Sequence, residues 1–266
     1  MKVSIVSLKK YLPTSLVYKI RPLKRFVFSK IFGYNFQADG LSTTGHNTDF
    51  LDTPRFKSAW EAAERANQAG WNDKVPDIRW RAHIACWAAE HAVKLKGDFV
   101  ECGVHTGILS HAVCDYVDFA QHNASFWLFD TFEGIPEQQL AASEQANAEY
   151  FNENYYFDCF DIVQKSFAKY PNVHLVKGLI PASLEQAEIN AVSYLSIDLN
   201  NAYAEVAALE YFWDKMSPSG MIILDDYGFS AHLEQKTAID AFLASKGYNA
   251  VTLPTGQGLV IIHPES

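Results

Sequence analysis

Asp98-Phe99-Val100-Glu101-Cys102-Gly103-Val104-His105-Thr106-Gly107 is the stretch on which the fold of the chain turns. It predicts a short buried strand over Phe99–Cys102, a glycine-bearing turn, and a helix opening at Ile108-Leu109-Ser110. An acid near the strand's end and glycines at 103 and 107 suit a backbone that passes close to a ligand. Glycine permits that approach because it has no Cβ to obstruct it. The amides opening the helix then face the ligand, with the positive end of the helix dipole behind them.

Downstream, short apolar runs alternate with helical patterns. Strands are expected at Phe126–Phe129, Val173–Val176, Tyr194–Ile197, Met221–Leu224, Tyr248–Leu253 and Leu259–Ile262. Helices are expected at Phe157–Tyr170, Glu205–Met216 and Leu233–Lys246. Alternation of this kind predicts an α/β fold, a mostly parallel sheet with helices on both faces. The short glycine-bearing link 254–258 predicts one antiparallel strand near the C-terminus. Ligands of such sheets bind beyond the carboxyl ends of the strands. Glu101, Asp130, Asp198, Asp225 and Asp226 all fall at those ends.

Upstream, residues 35–56 are rich in Gly, Asn, Asp, Ser and Thr and read as loop. Helical spacing predicts helices over Pro54–Ala69 and Ile78–Leu95, with His83 and His91 as structural residues. The division expected is an N-terminal basic and helical extension over 1–75, followed by one domain over 76–266.

The chain has 266 residues, 48% of them hydrophobic, enough to bury a full core. It contains no apolar run of 18 residues and no secretory signal pattern, and its four cysteines lack CxxC spacing. A cytoplasmic protein with reduced thiols is therefore expected. Net charge is −9, but residues 1–34 hold eight of the 22 basic residues and no acid occurs before Asp39. The remaining 14 basic residues face all 31 acidic ones, so the body is a poor nucleic-acid binder. The basic head, interleaved with residues such as Leu16, Ile20, Phe26 and Phe28, predicts peripheral contact with an anionic inner membrane surface. Packing on the body or on a second copy in a homodimer is the alternative.

Asp130 stands 23 residues beyond Gly107, at a strand tip where an acid can accept hydrogen bonds from ribose hydroxyls. The competing role is a cap on the turn Thr131–Pro136. Asp225 and Asp226, with Asp198 from the neighbouring strand, would offer an oxygen-rich site to a hard divalent ion such as Mg²⁺. One of the pair could instead cap a helix or meet a lysine.

Val100–Gly107 resembles the first motif of class I S-adenosylmethionine-dependent methyltransferases. Leu128-Phe129-Asp130-Thr131-Phe132-Glu133-Gly134-Ile135-Pro136, Val176-Lys177-Gly178, Ser196-Ile197-Asp198 and Ser217–Gly228 narrow the likeness. Together they resemble the macrocin O-methyltransferase (TylF/MycF/NovP-type) family over about residues 76–250. The sequence departs from that family's pattern at His105-Thr106, at Ile108, and in Leu199-Asn200-Asn201-Ala202-Tyr203 after Asp198.

The resemblance implies a Rossmann-like methyltransferase fold. It also implies Mg²⁺-dependent methyl transfer from S-adenosylmethionine to a hydroxyl on a sugar of a glycan or natural product. Glu101, Gly103, His105, Thr106, Gly107 and Asp130 would hold the cofactor, Asp198, Asp225 and Asp226 the metal, and Asp198 would take the hydroxyl proton. His105 would contact the methionine carboxylate or act as a base. Residues 137–157, with Tyr150, Phe151, Tyr155, Tyr156 and Phe157, are expected to form a mobile lid or acceptor wall, or else to pack in a core or dimer. Two other readings stay open: a methyltransferase-fold protein that binds without catalysis, and a nicotinamide-dependent oxidoreductase.

Overall fold

The computed structural model describes residues 33–72 and 74–264. The chain divides into two compact units between Asp49 and Phe50. In the first, β1 (Tyr34–Ala38) and β2 (Leu41–Thr44) form an antiparallel hairpin where loop was expected. The turn residues account for the difference. Asp39 and Gly40 both have positive φ, 50° and 78°, as a two-residue type I′ turn requires and as an Asp-Gly pair supplies. The basic residues of the head all precede residue 33, so the expected membrane contact lies outside the described residues.

In the second unit, α1 (Pro54–Asn67) and α2 (Arg79–Ala92) precede the alternating region. There follow β3 (Asp98–Cys102), α3 (Ile108–Tyr116), β4 (Phe126–Asp130), α4 (Gln145–Asn154), α5 (Phe160–Phe167) and β5 (Val173–Lys177). Then come β6 (Val192–Ile197), α6 (Ala202–Trp213), β7 (Met216–Leu224), α7 (Leu233–Ser245), β8 (Val251–Thr252) and β9 (Gly258–Ile261). The sheet order is β5-β4-β3-β6-β7-β9-β8. From β5 to β7 all neighbours are parallel, and β9 is antiparallel to both of its own, as the glycine-bearing link predicts.

Period-two alternation splits the core between the two faces of the sheet. Phe99, Phe126, Leu128, Tyr194 and Ile223 pack against α1, α2, α3 and α5. Val100, Phe129, Leu195, Ile197 and Leu224 pack against α6 and α7. Phe99 lies opposite both Phe126 and Tyr194, and its ring stacks on that of Tyr194 with centroids 4.9 Å apart. His83 stacks on Phe50 and His91 meets the Ser219 carbonyl, both structural roles.

Two strand boundaries differ from expectation. The strand expected from Tyr248 shrinks to Val251–Thr252, because the Tyr248 amide donates to the Leu243 carbonyl and closes the end of α7, with Gly247 at φ 76°. Conversely, β7 runs through Pro218-Ser219-Gly220, with an irregular register against β6 and Ser219 at φ 64°. Within residues 137–157 the chain forms α4, which leaves Tyr150 and Tyr155 exposed. Among the described residues no helix is long and apolar enough to cross a membrane.

Candidate active site

The chain passes from β3 outward through β4 to β5, then returns to place β6 on the other side of β3. Crevices form at such switch points, beyond the strands' carboxyl ends. A cavity enclosing about 590 Å³, part of it open to solvent, lies there. Its walls include Gly103, His105, Asp130–Pro136, Tyr156, Gly178–Ile180 and Asp198–Asn201.

One wall is the turn after β3. Asp130 Oδ2 accepts from the amides of Val104 (2.5 Å) and His105 (2.7 Å), and Oδ1 from the amide of Phe132 (2.6 Å). The carboxylate thus ties the end of β4 to the β3–α3 turn while lining the cavity, so the capping role expected as its alternative is present in fact. Gly103 has φ 89°, and a Cβ there would lie 1.8 Å from the Asp198 carbonyl oxygen. A Cβ at Gly107 would lie 2.6 Å from the Phe167 ring. Both glycines are therefore required by chain packing before any ligand arrives.

Thr106 is buried and accepts from Trp71 Nε1 at 2.8 Å, which anchors the turn from outside the cavity. Glu101 is also buried, beneath the turn rather than in its wall, and Ser110 Oγ donates to it at 2.6 Å. Burial pushes the Glu101 carboxyl up to about 8, against the pull of the Ser110 hydrogen bond, so it is protonated at neutral pH. His105 does face the cavity. Its ring is enclosed by Trp71, Tyr156 and Phe157 at 4.9–5.4 Å, and its Nε2 has no hydrogen-bond partner. Burial lowers its pKa to about 4, so it is a neutral imidazole.

The other wall is acidic. Asp198, just beyond β6, accepts from Asn200 Nδ2 at 2.8 Å, and the same amide group reaches the Tyr156 hydroxyl at 3.3 Å. Burial, then Asp226 and Asp225, hold the Asp198 carboxyl well above the usual carboxylate range, with Arg81 pulling the other way. Glu205, at the start of α6, is likewise raised by burial and by Asp226. Asp225 is bonded on both oxygens: Arg81 Nη1 donates to Oδ2, and Gln257 Nε2 donates to Oδ1 at 3.0 Å. Asp226 stands 3.9 Å from Arg81 Nη1 and 3.6 Å from His232 Nε2.

The Mg²⁺ site expected from Asp198, Asp225 and Asp226 falls on this wall. The three share the rim, but their oxygens turn to Asn200, Arg81, Gln257 and His232 instead of converging on a point an ion could occupy. Among the described residues no group of three or more His, Cys, Asp or Glu is arranged to hold a metal ion. Arg81 and Gln257 were not singled out in the sequence. A signal for Arg81 was present: it heads a helical stripe continued by Ala85, Ala88 and Ala92, a lone cation on a face otherwise made of small buried residues. Gln257 sat within a segment legible only as a turn.

The chain is similar to several known proteins. Mycinamicin III 3''-O-methyltransferase of Micromonospora griseorubida is 24% identical over 144 residues, 49% of this chain and 55% of that protein. The chain thus spans about half the length of this relative. The O-methyltransferase NovP superposes with a TM-score of 0.60 at 22% identity, over 69% of this chain and 79% of its own. An O-methyltransferase from Bacillus cereus, in complex with SAH, superposes at 0.52 and 12% identity, over 76% and 89%. These two likenesses show the Rossmann-like methyltransferase fold. The family described as Macrocin-O-methyltransferase (TylF) matches residues 74–253, which takes in α2 and every element from β3 to β8, both walls of the cavity included. By that match over more than half its length, the chain belongs to the macrocin O-methyltransferase family.

Proposed function

We propose that this protein transfers a methyl group from S-adenosylmethionine to a hydroxyl on a sugar of a natural product or glycan. Family membership supports the reading, and the observation that carries it is the cavity at the switch point. Its walls match the parts of the cofactor. Asp130 would meet the ribose, and apolar Ile135, Leu179 and Ile180 the adenine ring. The His105 ring, whose Nε2 lacks a partner, would meet the polar methionine end. Glu101 and Thr106 serve the site by supporting the turn. The catalytic unit is residues 76–266, with 1–75 as an extension.

When bound, the cofactor supplies an electrophilic methyl on a sulfonium. The chain's own task is alignment and removal of one proton. A sugar hydroxyl is a feeble nucleophile at neutral pH, so a base must stand beside it. Asp198 fills that role: its carboxyl lines the cavity, and its raised pKa makes the carboxylate a better proton acceptor than an ordinary aspartate. Tyr156 and Asn200 hold the Asp198 side of the cavity, and the neutral imidazole of His105 adds no charge to compete with the sulfonium. Closing off water and fixing the reacting atoms in line contribute the remainder, on the order of 7–11 kcal/mol for well-oriented groups. The resemblance also implies Mg²⁺, which Asp198, Asp225 and Asp226 would have to hold, but their oxygens are already engaged by Asn200, Arg81, Gln257 and His232, and no step here depends on it.

The test is a melting experiment followed by turnover. S-adenosylhomocysteine should raise the melting temperature and NAD should not. Incubation with S-adenosylmethionine and a panel of glycosylated acceptors should then give a methylated product with wild-type protein and far less with Asp198→Asn. Stabilisation by NAD alone would overturn the reading.

A further inference from the structure

We propose that Arg81 is the resident cation of the acidic rim, standing where a divalent metal was expected, so that the rim works without added metal. The proposal rests on the reading of the rim as the methyl-transfer site. Three observations carry it. Arg81 reaches from α2 to bond Asp225, and its guanidinium is also 3.9 Å from Asp226, so one cation serves both members of the acidic pair. The second oxygen of Asp225 is held by Gln257 at 3.0 Å, and Gln257 is itself fixed by Thr255 Oγ1 at 3.0 Å within a buried turn. Asp225 is thus held between Gln257 and Arg81, so each of its oxygens already has a donor. Finally, the Arg81 and Asp225 side chains are 15% and 2% exposed, so an incoming ion would have to displace a half-buried guanidinium from a buried carboxylate.

Chemistry favours the arginine in that contest. A guanidinium stays charged at any working pH and offers several donors in a fixed plane, so it can hold two carboxylates at once. Removing one partner of such a buried pair is strongly unfavourable, because the other charge is left uncompensated. A hard divalent ion offers compensation only if several oxygens can converge on it, and here they do not. Arg81 is a positioning residue: it holds Asp225 and Asp226 in place beside the base, and draws the Asp198 carboxyl back toward its ordinary range.

Chelator-treated wild type, Arg81→Met and Arg81→Lys are compared by thermal melting and by titration with S-adenosylhomocysteine, each with and without millimolar Mg²⁺. Wild type should show the same melting temperature, ligand affinity and methyl transfer in either condition. Arg81→Met should melt lower and regain stability with Mg²⁺, because Asp225 and Asp226 are released to bind it. That gain should vanish in Arg81→Met with Asp225→Asn. Arg81→Lys, which keeps the charge, should stay indifferent to Mg²⁺. A purely structural arginine would lower stability without creating a Mg²⁺ response, so a folded Arg81→Met variant lacking that response overturns the proposal. So does a wild type that Mg²⁺ stabilises through Asp225, or one whose methyl transfer stops on chelation and returns with Mg²⁺. Where Arg81→Met does not fold, the wild-type arm decides. Failure of S-adenosylhomocysteine to bind under any condition would overturn the function reading, and the proposal with it.

Discussion

The two walls of the cavity handle buried charge in opposite ways. On the β3–α3 side, Asp130 is satisfied by the backbone amides of Val104, His105 and Phe132, groups that the turns present in any case. On the β6–β7 side, Asp198, Asp225 and Asp226 crowd together and are balanced by side chains delivered from elsewhere. Arg81 lies 144 residues from Asp225, and Gln257 lies 32 residues from it. The first wall is a scaffold that its own backbone completes. The second is a charged assembly completed by tertiary packing, in which burial raises the carboxyls of Asp198 and Glu205 above the usual range. The proposed function assigns catalysis to the second wall and cofactor placement to the first, and substitutions should separate them.

The largest effect falls on the acidic wall. Asp198→Asn should lower kcat by about 10²- to 10⁴-fold, the usual worth of a positioned acid or base, while S-adenosylhomocysteine affinity measured by calorimetry changes little. Equal losses in both would place Asp198 in binding instead.

Next comes the point where the walls touch. Gly103→Ala puts a methyl 1.8 Å from the Asp198 carbonyl oxygen at a φ of 89°, so β3 and β6 must part. A cost of about 3 kcal/mol in urea denaturation is expected, from overpacking together with the unfavourable φ. A cost under about 1 kcal/mol, the scale of an ordinary substitution, would show that the two strand ends are not closely held.

Glu101 then tests the buried underside of the turn. Its carboxyl goes from an ordinary 4.5 to about 8 on folding, so between those values the native state holds a proton that the unfolded state has lost. Its stabilising share is complete below the lower value and disappears as pH rises through the upper one, with a slope of up to about 1.4 kcal/mol per pH unit. Subtracting the stability curve of Glu101→Gln from that of wild type should reveal this slope, and a flat difference would refute it. The smallest effect is at Thr106→Val, which leaves Trp71 Nε1 without its acceptor. It should lower stability by about 1 kcal/mol and leave cofactor affinity alone, since Thr106 supports the turn from behind.

What the sequence disclosed follows the same division. The β3 turn, the acid 23 residues on, and the strand-end placement of Asp198, Asp225 and Asp226 are local features, set by period-two alternation and by glycines at fixed offsets. They were legible, and with them the sheet and its antiparallel strand. The reasons for Gly103 and Gly107 were not, because the atoms they avoid belong to Asp198 and Phe167, far along the chain. Nor was the partner of Asp225 legible, since a guanidinium from α2 reaches it only after the sheet has assembled. The hairpin over 34–44 is a different failure: its Asp39-Gly40 signal was in view but read as loop composition.

The most direct test of the account is a crystal structure of the protein grown with S-adenosylhomocysteine. The ligand should lie at the junction of β3 and β6, its ribose against Asp130, its adenine beside Leu179 and Ile180, and its sulfur turned toward Asp198. Density for the ligand anywhere else, or a sulfur screened from Asp198 by the protein, would contradict it.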